Sequence, residues 1–143
     1  MDEHKNIFTR CLDDNGIKWN DRDRSSITIC YTGDNLQPIE VVIEFSAEYT
    51  EEYGYMDDYW SVTYCWSIAN LKGKEDIGIS ICNELNQRDR WVKFCIDDDS
   101  NMVCRIDALF TDQSCEEICK FFVDQIIGDV DDVYPDIMER LGQ

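Results

Sequence analysis

The chain is short of several things, and each shortage removes a class of function. It holds a single histidine, His4, among 143 residues. That removes His-dependent catalytic triads and the usual histidine-containing zinc sets. No run of 18 apolar residues occurs, and no charged leader precedes an apolar segment, so neither membrane insertion nor secretion is expected. Basic side chains are scarce: 13 Lys and Arg against 31 Asp and Glu give a formal charge of −18. A surface so negative repels phosphate backbones and anionic lipid, which argues against nucleic-acid and membrane partners. It suits a basic protein partner, or simply solubility. There is no CxxC pair either; the eight cysteines stand singly inside apolar patterns, as reduced, buried thiols of a cytoplasmic protein do.

The chemistry-bearing patterns that remain are weak. Cys115 and Cys119 sit one helical turn apart, and a metal shared with Cys95 or Cys104 would need coordinated placement that buried thiols do not require. Asp97, Asp99 and Asn101 open like a calcium loop, but Met102 stands where the obligatory glycine belongs and Ala108 where the bidentate glutamate belongs. The stretch reads as a hairpin turn. Gly73-Lys74 lacks the flanking residues of a phosphate loop. The pairs Asp57-Asp58 and Asp131-Asp132 read as solvated. No catalytic residue, cofactor or metal is assigned.

What is present describes one α+β domain over residues 1–143. Hydrophobic residues make up 43% and aromatics 12%, enough for a proper core. The organising stretch runs from Lys74 to Asp99, a helix passing almost directly into a strand. Ile77, Gly78, Ile81, Cys82 and Leu85 share one helical arc, while Ile79, Asn83 and Asn86 share the other. Trp91 to Ile96 then alternates, with Val92, Phe94 and Ile96 inward and Trp91, Lys93 and Cys95 outward. A hairpin to the next strand places Ile96 opposite Met102, Phe94 opposite Cys104 and Val92 opposite Ile106. Its outer face carries Trp91, Cys95 and Val103 beside Lys93, Arg105 and Asp107.

Elsewhere, Asp2 to Asp14 predicts a helix stopped at Asn15-Gly16. A strand beginning at Ile17–Trp19 breaks in the charged run Asn20–Arg24. Strands follow over Ile27–Tyr31, Ile39–Phe45 and Trp60–Ile68. Ala47 to Tyr59 reads as an acidic, tyrosine-rich surface loop. Ser114 with Glu117 fits a capping box opening the last helix, and Pro135 should break or kink that helix near Tyr134. The expected order is α-β-β-β-α-β-β-α, an antiparallel sheet of about five strands with helices packed on it.

The run SICNELNQRDRWVKFCIDDDSNMVCRIDALF, with Cys82-Asn83, Asn86, Lys93-Phe94 and an acidic turn, resembles the YbjN domain family. Tyr134-Pro135 in the closing helix resembles it too. That family is described as candidate bacterial sensory transduction regulators. It looks similar in fold to class I type III secretion chaperones, which are acidic α+β proteins that pair as dimers and bind extended protein segments. The resemblance implies a non-enzymatic protein-interaction or regulatory domain that forms a homodimer. Candidate contact residues are Ile79, Asn83 and Asn86 on the helix, with Trp91, Lys93, Cys95, Val103 and Arg105 on the hairpin. A second reading, from charge alone, is an acidic immunity-type inhibitor of a basic toxin.

Overall fold

A computed structural model describes residues 2–52 and 54–142. Helix α1 (Asp2–Asp14) ends where Gly16 adopts φ +71°, as the Asn15-Gly16 pair predicts. Six strands follow the order β1-β2-β3-β4-β6-β5 across one antiparallel sheet: β1 (Asn20–Asp23), β2 (Ser26–Tyr31), β3 (Ile39–Thr50), β4 (Gly54–Asn70), β5 (Lys93–Ile96) and β6 (Asn101–Phe110). Helix α2 (Glu75–Arg88) joins β4 to β5. Helices α3 (Asp112–Phe121) and α4 (Gly128–Arg140) close the chain, linked without interruption by a π-helical turn over Phe122–Ile127.

The α+β class and the antiparallel sheet match the sequence reading; the strand count is six rather than five. The extra strand is the charged run itself. β1 pairs with β2 at Asn20↔Thr28 and Asp21↔Ile27, and all four of its residues are exposed. An edge strand buried on neither face needs no apolar alternation, so nothing in its pattern marks it. The predicted register of the β5–β6 hairpin holds at Phe94↔Cys104 and Ile96↔Met102. Val92 is buried but lies outside the strand, because Asp89 Oδ1 accepts the backbone N–H groups of Trp91 and Val92, each at 2.9 Å, and turns the chain there. The acidic turn closes as expected, with Asp97 Oδ1 accepting from Asp99 N–H at 3.0 Å and Asn101 N–H at 2.8 Å.

Three expectations fail for local physical reasons. Most of Ala47–Tyr59 is not a loop: β3 and β4 continue into it as a two-stranded ribbon, pairing as far as Thr50↔Gly54. Tyr53 lies outside the described residues. The capping box is Thr111 with Ser114, one turn earlier than Ser114 with Glu117. Thr111 is still extended after β6; its Oγ1 accepts from Ser114 N–H at 3.0 Å and its N–H donates to Ser114 Oγ at 2.9 Å. Pro135 does not end the helix, and α4 runs through it. A proline deprives the carbonyl four residues back of its donor. Here that carbonyl belongs to Asp131, and Asn35 Nδ2 donates to it at 3.0 Å.

All helices lie on one face of the sheet. Beneath them Trp60, Tyr64 and Trp66 of β4 are fully buried, and Phe8 of α1 meets Phe45, Trp60, Tyr64 and Phe110 with ring centroids 5.1–6.2 Å apart. His4 stacks on Trp60, with ring centroids 5.1 Å apart. The Tyr64 hydroxyl donates to the Cys119 carbonyl at 3.4 Å, and burial holds its pKa well above the usual phenol range. Within the π-helical turn Phe122, Val123, Ile126 and Ile127 are all buried, since the wider turn brings two adjacent rows onto the core side.

A candidate partner-binding surface on the bare sheet face

With every helix on one side, the alternate side chains of each strand face away from the helical layer. One row crosses the sheet in register from Thr28 through Val42, Cys65 and Arg105 to Lys93. A second places Ser67, Val103 and Cys95 side by side. A third joins Glu44, Thr63 and Asp107. Between β3, β4 and β6 the face sinks into a shallow depression of about 640 Å³, bordered by Glu44, Ser61, Thr63, Arg105, Asp107 and Leu109.

Two carboxylates and one guanidinium border this depression, and Glu44 lies 3.8 Å from Arg22. Arg105 Nε donates to Asp107 Oδ2 at 2.9 Å and Thr63 Oγ1 to Asp107 Oδ1 at 2.6 Å. Partial burial pushes the Asp107 carboxyl up, but the Arg105 and Thr63 hydrogen bonds outweigh it and hold the group below the usual carboxylate range. The same contact raises the Arg105 guanidinium. Burial raises the Cys65 thiol, with Arg105 opposing. Half-buried Val42, Val103 and Cys65 form the apolar centre of this face, while Cys30 and Cys95 are exposed on it.

The eight residues singled out from the sequence separate into three groups. Lys93, Cys95, Val103 and Arg105 come together on the bare face, with Trp91 at its margin, 53% exposed. Ile79 and Asn83 are exposed on α2, in the helical layer, and do not join them. Asn86 closes a sheet edge instead of offering a contact. Its Oδ1 accepts Phe94 N–H at 2.7 Å and its Nδ2 donates to the Phe94 carbonyl at 2.9 Å. One side chain thus mimics a neighbouring strand along the outer edge of β5.

Asp131 was missed, because an Asp-Asp pair reads as solvated. It is 4% exposed, and its carboxylate accepts the N–H groups of Asp34, Asn35 and Leu36 at 3.0, 3.0 and 2.6 Å, tying α4 to the β2–β3 loop. Gly33 leaves room for it; a Cβ there would lie 2.2 Å from Asp131 Oδ1. The only prior signal was Pro135, four residues on. Among the described residues no three His, Cys, Asp or Glu side chains converge to hold a metal ion. No helix among them is long and apolar enough to cross a membrane.

This arrangement of layers has a counterpart among solved structures. The crystal structure of YbjN from E. coli, a candidate transcription regulator, superposes with a TM-score of 0.55 over 92% of this chain and 88% of that one. The chain has the YbjN fold. Identity with YbjN is 12%, so the likeness extends to the fold and no further. It agrees with the resemblance seen around Cys82–Phe110. No family model matches the chain, and no curated protein matches its sequence.

Proposed function

We propose that the chain is a non-enzymatic, cytoplasmic protein-interaction or regulatory domain that docks a protein partner on its bare sheet face, in a chaperone-like manner. One observation carries this reading. Among the described residues an entire face of the six-stranded sheet lacks a covering layer, and its centre is half-apolar with Arg105 and Asp107 paired to each other. The Arg105–Asp107 pair would keep its hydrogen bonds on burial, which offsets part of the cost of desolvating the two charges. The test is capture of partners from the native cell by the wild type, Val103→Asp and Ile79→Asp. Loss of a specific partner with Val103→Asp alone supports the reading; retention by Val103→Asp contradicts it.

A second reading, an acidic inhibitor of a basic toxin, draws on a separate feature. No lysine or arginine occurs between Ser25 and Leu71, so β2, β3, β4 and the ribbon are wholly anionic or neutral. Binding of that kind would weaken steeply with salt, whereas docking on the sheet face would not.

A further inference from the structure

We propose that Cys11 and Cys119 form a disulfide when the chain meets hydrogen peroxide, with the neighbouring Cys115 thiol poising Cys119 for attack, and that the bond locks α1 onto α3. The proposal goes beyond partner docking and uses none of the residues of the bare face.

Three of the cysteines gather where α1 packs on α3. Cys11 is 4% exposed, and Cys115 and Cys119 are fully buried. Cys115 and Cys119 stand one turn apart on α3, and Cys11 reaches them from α1. Asn15, just past the end of α1, ties the two helices at this point. Its Nδ2 donates to the Cys11 carbonyl at 2.8 Å and to Cys119 Sγ at 3.8 Å. From the sheet, the Tyr64 hydroxyl donates to the Cys119 carbonyl. The three sulfurs lie within hydrogen-bonding reach of one another.

Their environments are unequal. The hydrogen bond from Cys115 holds the Cys119 thiol below the usual thiol range, against the opposing effect of burial. The same bond, together with burial, pushes the Cys115 thiol up. Burial raises the Cys11 thiol as well, with Cys115 opposing. One sulfur is therefore the nucleophile, and its two neighbours keep their protons.

Geometry selects Cys11 as the partner. Residues four apart on a helix hold their Cβ atoms about 5–6 Å apart, whereas a disulfide needs about 3.5–4.5 Å. A bond between Cys115 and Cys119 would distort α3. Cys11 comes from a second helix and escapes that limit. In the first step the Cys119 thiolate attacks one peroxide oxygen and the O–O bond breaks. The hydroxide that leaves recovers the proton Cys119 gave up, so one water and a Cys119 sulfenic acid result. In the second, Cys11 Sγ attacks Cys119 Sγ. The S–S bond forms, the S–O bond breaks, and the hydroxyl departs with the Cys11 proton as a second water. Two thiols lose two electrons, and one peroxide is reduced to two waters. Because the sulfurs are buried, reaction waits on local opening of α1, whose buried side chains are Phe8, Thr9, Cys11 and Leu12. Once formed, the bond prevents that opening.

The test uses the full chain with Cys30→Ser and Cys95→Ser, which removes the exposed thiols. After hydrogen peroxide treatment and alkylation of the remaining thiols, peptide mapping should find Cys11 joined to Cys119. Tm should rise by about 5–15 °C, the range for a disulfide closing a long loop. Dithiothreitol should reverse both changes. Cys11→Ala should leave a Cys119 sulfenic acid that dimedone captures, and Cys115→Ala should slow bridging several-fold with the same two partners. Mapping that finds Cys115 joined to either neighbour, or no bridge in a chain with native circular dichroism, overturns the inference. So does bridging that proceeds at an unchanged rate in Cys115→Ala.

Discussion

Replacing Asp131 with alanine would strip three backbone N–H groups of their acceptor at once. Two of them, Asp34 and Asn35, are part-buried, and the third, Leu36, is buried. Hydrogen bonds to a charged group contribute about 1.5–3 kcal/mol each, but they share one carboxylate and are not additive. The loss for a buried, fully bonded charge is therefore set at about 3–4 kcal/mol, within the range for breaking such networks. For a domain of this size that corresponds to a drop in Tm of roughly 10–15 °C. Asp131→Asn should cost less, about 1–2 kcal/mol, because one oxygen can still accept from Asn35 and Leu36. Urea unfolding at constant slope reads both values. A double-mutant cycle adds a geometric check: Gly33→Ala drives a Cβ to 2.2 Å from Asp131 Oδ1, so its cost should fall once Asp131 is alanine. Asp131→Ala within about 0.5 kcal/mol of wild type, the scatter of ordinary surface changes, would refute this account of the helix–loop tie.

Asn86→Ala should cost about 1–2 kcal/mol in urea unfolding and raise aggregation seen by light scattering, since it bares the β5 edge at Phe94. Gly78→Ala should destabilise by about 1–3 kcal/mol in thermal unfolding despite better helix propensity, because the added Cβ lies 2.5 Å from Leu71 Cδ1 in the core. Asp107 titrates below the usual carboxylate range in the folded chain. Its contribution to stability is therefore present above the ordinary carboxylate range and lost as pH falls through the lowered value; Arg105→Gln should move its carboxyl titration upward in NMR. Cys104, whose thiol burial raises well above the usual range, should resist native labelling until the chain unfolds.

The legible parts of the fold were those where periodicity and burial coincide. The α2 stripe of Gly78, Ile81, Cys82 and Leu85 is buried as its spacing predicts, and the β5–β6 register follows from alternation plus a tight acidic turn. Ile77 departs from that stripe, lying exposed at the first turn. β1 was illegible because an all-exposed strand has no pattern. Asp131 was illegible because its partners are backbone groups some 96 residues away, which carry no letter of their own. The capping box slipped by a turn because Thr111 and Ser114 are both good caps, and only the end of β6 decides between them. For the candidate surface, alternation located Lys93, Cys95, Val103 and Arg105 on one face. It could not show that the helices all pack on the other face, since that depends on tertiary arrangement.

The bare face carries its own reporters, Cys30, Cys65 and Cys95, while Cys11, Cys82, Cys104, Cys115 and Cys119 are buried. Thiol footprinting of the purified chain and of the chain bound to its native partner therefore tests the central claim directly. Labelling of Cys30 and Cys95 in the free protein, with partial labelling of Cys65 and protection of all three in the complex, is the predicted result. Unreactive Cys30 and Cys95 in the free chain, or equal labelling in the complex, would contradict it.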